Sequence, residues 1–169
     1  YKKEGIKLTP IIFGGGQERG LRSGTESPQL IHSLFIAVDY WNKNKDKLLN
    51  HLKTLHNLFE EKLTQNIQEI EIVSKAVKRL PNISNIIFPK IDAQSLIMAL
   101  DTEGIAVSSG SACSSGTPTP SHVLKAYGYS DKQALSSIRF SFGIFNTDKE
   151  VEIAVEKITN IYKELRTFF

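Results

Sequence analysis

The feature that most constrains the fold is a row of apolar residues: Leu30, Ile31, Leu34, Phe35, Val38, Trp41, Leu48, Leu49, Leu52, Leu55, Phe59 and Leu63. Their spacings of three, four and seven keep one stripe on a helix. Ser27 followed by Pro28 supplies an N-cap and a first-turn residue. The run predicts one long helix, or two joined near residues 42–44. At ~1.5 Å per residue its length is on the order of 50 Å. That exceeds the needs of one small domain, so the helix is expected to bridge two.

The chain reads differently on the two sides of this helix. Before it, residues 10–13 form a short apolar run, and residues 14–25 are glycine-rich with no periodicity, which makes them a loop. After it, short strands alternate with helices. Strands are expected at 70–73 and 83–88, the second ended by Pro89, then a helix over 93–102 that stops at Gly104 and a compact strand over 105–108. Ser121 caps a short helix ending at Gly128. Ile138, Phe140 and Phe142 alternate as a strand whose other face carries Arg139 and Ser141. Thr147 and Glu150 form a capping box for the last helix, with Val151, Val155, Ile158, Ile161 and Leu165 along its buried side. The fold class is α/β: residues 27–66 are expected as a linking helix or helix pair and 67–169 as a small α+β domain.

Composition narrows the function classes. The net charge of +3 comes from lysines dispersed among glutamates, with no basic stripe, so nucleic acid is not an implied partner. No apolar run approaches the roughly 20 residues that cross a bilayer, and no leader pattern opens the chain. A single cysteine, Cys113, excludes an internal disulfide framework and a Cys-based zinc site. A reducing compartment is expected, the cytoplasm, or the mitochondrial matrix in a eukaryote. Tyr1 at the front and one methionine, Met98, suggest a part of a longer polypeptide.

Four features could carry chemistry. Cys113 sits among Ser108, Ser109, Gly110, Ser111, Ala112, Ser114, Ser115 and Gly116, small and polar neighbours that suit a thiolate able to swing towards a substrate. A peptidase would pair that thiol with histidine, but His32, His51, His56 and His122 read as surface or satisfied core residues. The loop 14–25 has the chemistry of an anion site, with Arg19, Arg22, Ser23 and Thr25 as donors; its spacing is neither a Walker A nor a dinucleotide fingerprint, and an ordinary glycine-rich connection is the alternative. Arg139 on the polar face of its strand could clamp a carboxylate, or form a structural salt bridge to Glu150 or Asp148.

Three segments, in order, resemble one family. They are Gly14, Gly15, Gly16, Gln17, Glu18 and Arg19 with Arg22 to Thr25; the Cys113 loop with Pro120, Ser121 and His122; and Ser137, Ile138, Arg139, Phe140, Ser141, Phe142 and Gly143. The chain is similar to the C-terminal part of pyridoxal-phosphate cysteine desulfurases with a long cysteine loop. The resemblance implies the α/β fold of a fold-type I transferase, with residues 1–26 the C-terminal edge of the large cofactor-binding domain, and an activity that removes sulfur from L-cysteine to leave L-alanine and a persulfide. Carried over by position, Cys113 is the nucleophile, Arg139 binds the substrate carboxylate, and Thr25 bonds the cofactor phosphate of the neighbouring subunit in a homodimer. The lysine that holds pyridoxal 5'-phosphate covalently is expected outside this chain, which alone should be inactive. The sulfur acceptor would be an iron–sulfur scaffold or another carrier protein. A selenocysteine lyase, an aminotransferase-like relative, or a non-catalytic sulfur-carrier docking module are the alternatives.

Overall fold

A computed structural model describes residues 2–109 and 119–167. The chain forms two compact units, Tyr1–Lys45 and Asp46–Phe169. Helix α1, Pro28–Asn66, is a single helix whose course runs through the boundary between them. It begins where expected: the Ser27 carbonyl accepts from Ile31 N–H at 3.0 Å. The Ser27 hydroxyl turns instead to the Gln29 side chain at 3.4 Å.

In the first unit the apolar stripe of α1 is exposed at Leu30, Ile31, Leu34, Phe35 and Val38. In the second the same periodicity buries Leu48, Leu52, Leu55, Phe59 and Leu63. The second unit continues with β1 (Glu71–Ile72), β2 (Ile83–Ile87), α2 (Ala93–Thr102), α3 (His122–Ala126), α4 (Asp131–Leu135), β3 (Ser137–Ser141) and α5 (Asp148–Leu165). The strands make one antiparallel sheet in the order β1-β2-β3.

Because successive strand residues point to opposite faces, the register sorts the side chains. Ile72, Ile86 and Ile138 share a row, as do Ser84 and Phe140. This face packs on α1, α2 and α5 through Phe59, Leu63, Leu96, Leu100, Val155 and Ile158. The opposite face carries Val73 and Ile87, which α3 and α4 cover with Leu124 and Ala134. Tyr129 packs beside them, and burial together with the Glu71 carboxylate pushes its hydroxyl up in pKa.

The helix ends follow local chemistry. Thr147 and Glu150 close the capping box of α5, the hydroxyl accepting from Glu150 N–H. Asp92 caps α2 and Ser121 caps α3. Two details depart from the sequence reading. Residues 105–107 are not a strand; only Ser108 pairs, in a lone bridge to Arg139. Helix α4 was not expected, yet Ser130 and Gln133 form a complete capping box for it.

Candidate active site

Arg139 is the centre of a row that crosses the sheet. On one side its N–H donates to Ser108 O at 2.7 Å and Ser108 N–H donates back to Arg139 O at 3.2 Å. On the other side it faces Asn85 of β2. Both neighbours therefore present their side chains on the face where Arg139 lies. Helices α3 and α4 cover this face at Ile87, one row further along, whereas Arg139 and Ser141 are exposed. The arginine has no acidic partner among the described residues, so the salt bridge to Glu150 or Asp148 does not form. Glu150 is committed to capping α5, and the Thr147 backbone N–H and hydroxyl beside it lower its pKa.

Cys113 lies outside the described residues. Its tether does not: Ser108 is fixed to the sheet five residues earlier.

The glycine-rich loop belongs to the first unit and is closed on itself. The Ser23 hydroxyl donates to Gly15 O at 2.7 Å, and Gly24 N–H donates to Gln17 Oε1 at 3.2 Å. Glu18 and Arg19 have φ of 51° and 58°, left-handed conformations that side chains rarely adopt. A Cβ on Gly14 would meet Ser23 Cβ at 3.2 Å, and the residue's φ of 153° adds strain to any substitution. Ser23 and Gln17 thus hold the loop's shape, while Thr25 next to them is exposed with no hydrogen-bond partner among the described residues. Of the four donors expected from sequence, Ser23 is spent on the loop itself, while Arg19, Arg22 and Thr25 are exposed.

The histidines fall to the roles expected of them. His51 Nε2 lies 3.0 Å from Asn146 O, and His32 stacks on Phe35. His56 joins a buried polar cluster that sequence reasoning missed. Arg79 grips Glu60 with two bonds of 2.6 and 2.9 Å. Ser84 Oγ donates to Glu60 Oε1 at 2.6 Å, and His56 Nε2 lies 3.0 Å from the same oxygen. Burial alone would raise the Glu60 carboxyl, but hydrogen bonds from Arg79, His56 and Ser84 outweigh it and hold the group far below the usual carboxylate range. The cluster ties α1 to β2 under the Arg139 row. It is a brace, not a reaction centre: every polar partner is internal.

The unpartnered, exposed hydroxyl of Thr25 fits a phosphate oxygen as one donor among several. No described lysine is buried, and the half-buried Lys62 and Lys157 are paired with Glu152 and Glu103. These lysines thus lack the buried, desolvated setting of an amine used for covalent work. The chain's own residues fit pyridoxal phosphate as peripheral contacts.

The family model for class-V aminotransferases matches residues 7–153. The chain is similar to the mitosomal cysteine desulfurase of Encephalitozoon cuniculi, 38% identical over 161 residues, which cover 95% of this chain and 37% of that protein. It is also similar to the cysteine desulfurase of Gluconacetobacter diazotrophicus, 36% identical over 166 residues, covering 98% and 42%. Among solved structures, a NifS-like protein from Rickettsia africae superposes with a TM-score of 0.84 at 36% identity, covering 94% of this chain and 41% of that one. The chain spans about two fifths of the length of these relatives.

Proposed function

Because the chain belongs to the class-V aminotransferase family, we propose that it is the C-terminal part of a pyridoxal-phosphate cysteine desulfurase, with Cys113 as sulfur acceptor and Arg139 as substrate clamp. The observation that carries this reading is the Ser108–Arg139 bridge. It fastens the segment that leads to Cys113 to the backbone of Arg139, an exposed residue with no acidic partner among the described residues. The segment that leads to Cys113 thus leaves the sheet beside the clamp, which suits a reaction at the substrate's side-chain sulfur.

Arg139 binds the carboxylate of L-cysteine with two parallel N–H bonds, fixing the orientation of its Cα and side chain. Cys113, as thiolate, attacks the substrate sulfur. The new S–S bond forms as the Cβ–S bond breaks, the electron pair of the broken bond goes to the carbon side, and a proton replaces sulfur at Cβ to give L-alanine. Pyridoxal phosphate, when bound, supplies the sink that holds those electrons. The persulfide is then open to attack by a thiolate of an acceptor protein, an iron–sulfur scaffold or another sulfur carrier.

Thr25 donates its hydroxyl to the cofactor phosphate of the neighbouring subunit, so the working form is a homodimer and the covalent lysine lies in sequence outside this chain. The cytoplasm, or a mitochondrial compartment, supplies the reducing setting that a free catalytic thiol needs. In the intact enzyme, Cys113→Ala is expected to abolish sulfide release from L-cysteine while cofactor absorbance is retained. Undiminished sulfide release by that variant would refute the reading.

A further inference from the structure

The pairing of Arg139 with its second neighbour is of a particular kind. Both backbone groups of Arg139 are taken by Ser108, and the Asn85 carbonyl is taken by Val73 N–H at 2.9 Å. Asn85 and Arg139 therefore face each other as a non-hydrogen-bonded pair, the arrangement in which facing Cα atoms approach to about 4.5 Å and side chains lie nearest. Asn85 Oδ1 is buried and accepts no hydrogen bond among the described residues. Buried polar atoms almost always have a partner, and one without calls for an explanation. The residue that faces it, Arg139, is exposed, carries five N–H donors on its guanidinium and has no acidic partner among the described residues.

We propose that Asn85 is a positioning residue for Arg139. Its Oδ1 accepts one guanidinium N–H when substrate seats, and so aims the fork that takes the carboxylate. Two of the five donors go to the carboxylate and one to Asn85, which fixes the plane of the guanidinium instead of leaving it to rotate on a flexible stem. The residue type fits this task. An aspartate at this place would neutralise the arginine and compete with the substrate, and an aliphatic side chain would leave the fork unguided. The amide oxygen orients the cation without discharging it.

This inference rests on Arg139 being the carboxylate clamp, and its test separates the two. In the full-length holoenzyme, Asn85→Ala is expected to raise KM for L-cysteine about tenfold, the loss falling on KM more than kcat. Affinity for cysteamine, which has the amine and thiol of cysteine but no carboxylate, stays as in the parent enzyme. Asn85→Asp weakens L-cysteine at least as much, again sparing cysteamine. In an Arg139→Ala background, Asn85→Ala adds no further loss. Equal weakening of L-cysteine and cysteamine, or additive losses, would overturn the positioning role while leaving the clamp in place. An Arg139→Ala enzyme that still prefers L-cysteine over cysteamine by the parent margin would overturn the clamp and this proposal together. A crystal structure of the holoenzyme with L-alanine gives a readout independent of turnover and of any variant's folding. Asn85 Oδ1 should lie within about 3 Å of an Arg139 nitrogen, and an Oδ1 bonded elsewhere contradicts the proposal.

Discussion

Ser108 and Arg139 exchange both backbone hydrogen bonds, at 2.7 and 3.2 Å, and this lone bridge joins the segment that leads to Cys113 to the sheet. The bridge sets where the cysteine loop starts relative to the clamp. Proline at 108 has no N–H to give. Ser108→Pro is expected to lower kcat about ten- to a hundredfold through misplacement of the thiol, with cofactor absorbance intact. Steady-state alanine formation measures it.

The clamp depends on the fork of the guanidinium and not on charge alone. Arg139→Lys keeps the cation and loses the parallel pair of bonds, so KM for L-cysteine should rise about ten- to a hundredfold. A KM equal to that of the parent enzyme would assign Arg139 to the surface.

Thr25 is exposed next to a loop that Ser23 and Gln17 hold in shape. Thr25→Ala should weaken retention of pyridoxal phosphate several-fold, about the worth of one charge-assisted hydrogen bond, without changing the thermal stability of the apo form. Dialysis against cofactor-free buffer followed by absorbance reports it.

The cluster at Glu60 makes a prediction about stability and pH. Arg79→Ala leaves a buried carboxylate with its main cation gone, at a cost of about 3 kcal/mol, measurable by urea unfolding. Glu60 has a folded pKa below its ordinary value of 4.5, so its stabilisation is fully present above that pH. The contribution is lost as pH falls from 4.5 towards the depressed folded value. Glu60→Gln should therefore flatten the acid limb of the stability profile, and an unchanged limb would show that the cluster is not ionised as described.

Much of this was legible in the residues, for physical reasons that differ from place to place. The stripe on α1 and the Thr147–Glu150 box were readable because helical spacing and capping chemistry are local. The alternation Ile138, Arg139, Phe140, Ser141 set Arg139 apart from the core face correctly. Residues 105–107 are apolar enough to read as strand but lack a partner beside them. Helix α4 escaped notice because it is five residues long with few apolar positions, although the spacing of Ser130 and Gln133 carries the capping signal. The Glu60 cluster was hidden for a different reason. Glu60 and Glu61 look like solvated helix charges, and Arg79 and Ser84 reach Glu60 only after the chain turns back as β2. Asn85 likewise means nothing until the register puts it opposite Arg139.

The central claim is that Cys113 receives sulfur from L-cysteine. The most direct measurement is mass spectrometry of the full-length holoenzyme, quenched during turnover with L-cysteine and digested without reductant. The account predicts one added sulfur on the peptide containing Cys113 and none on that peptide in the Cys113→Ala enzyme. Alanine formation at the full rate with no added sulfur on Cys113 would contradict it.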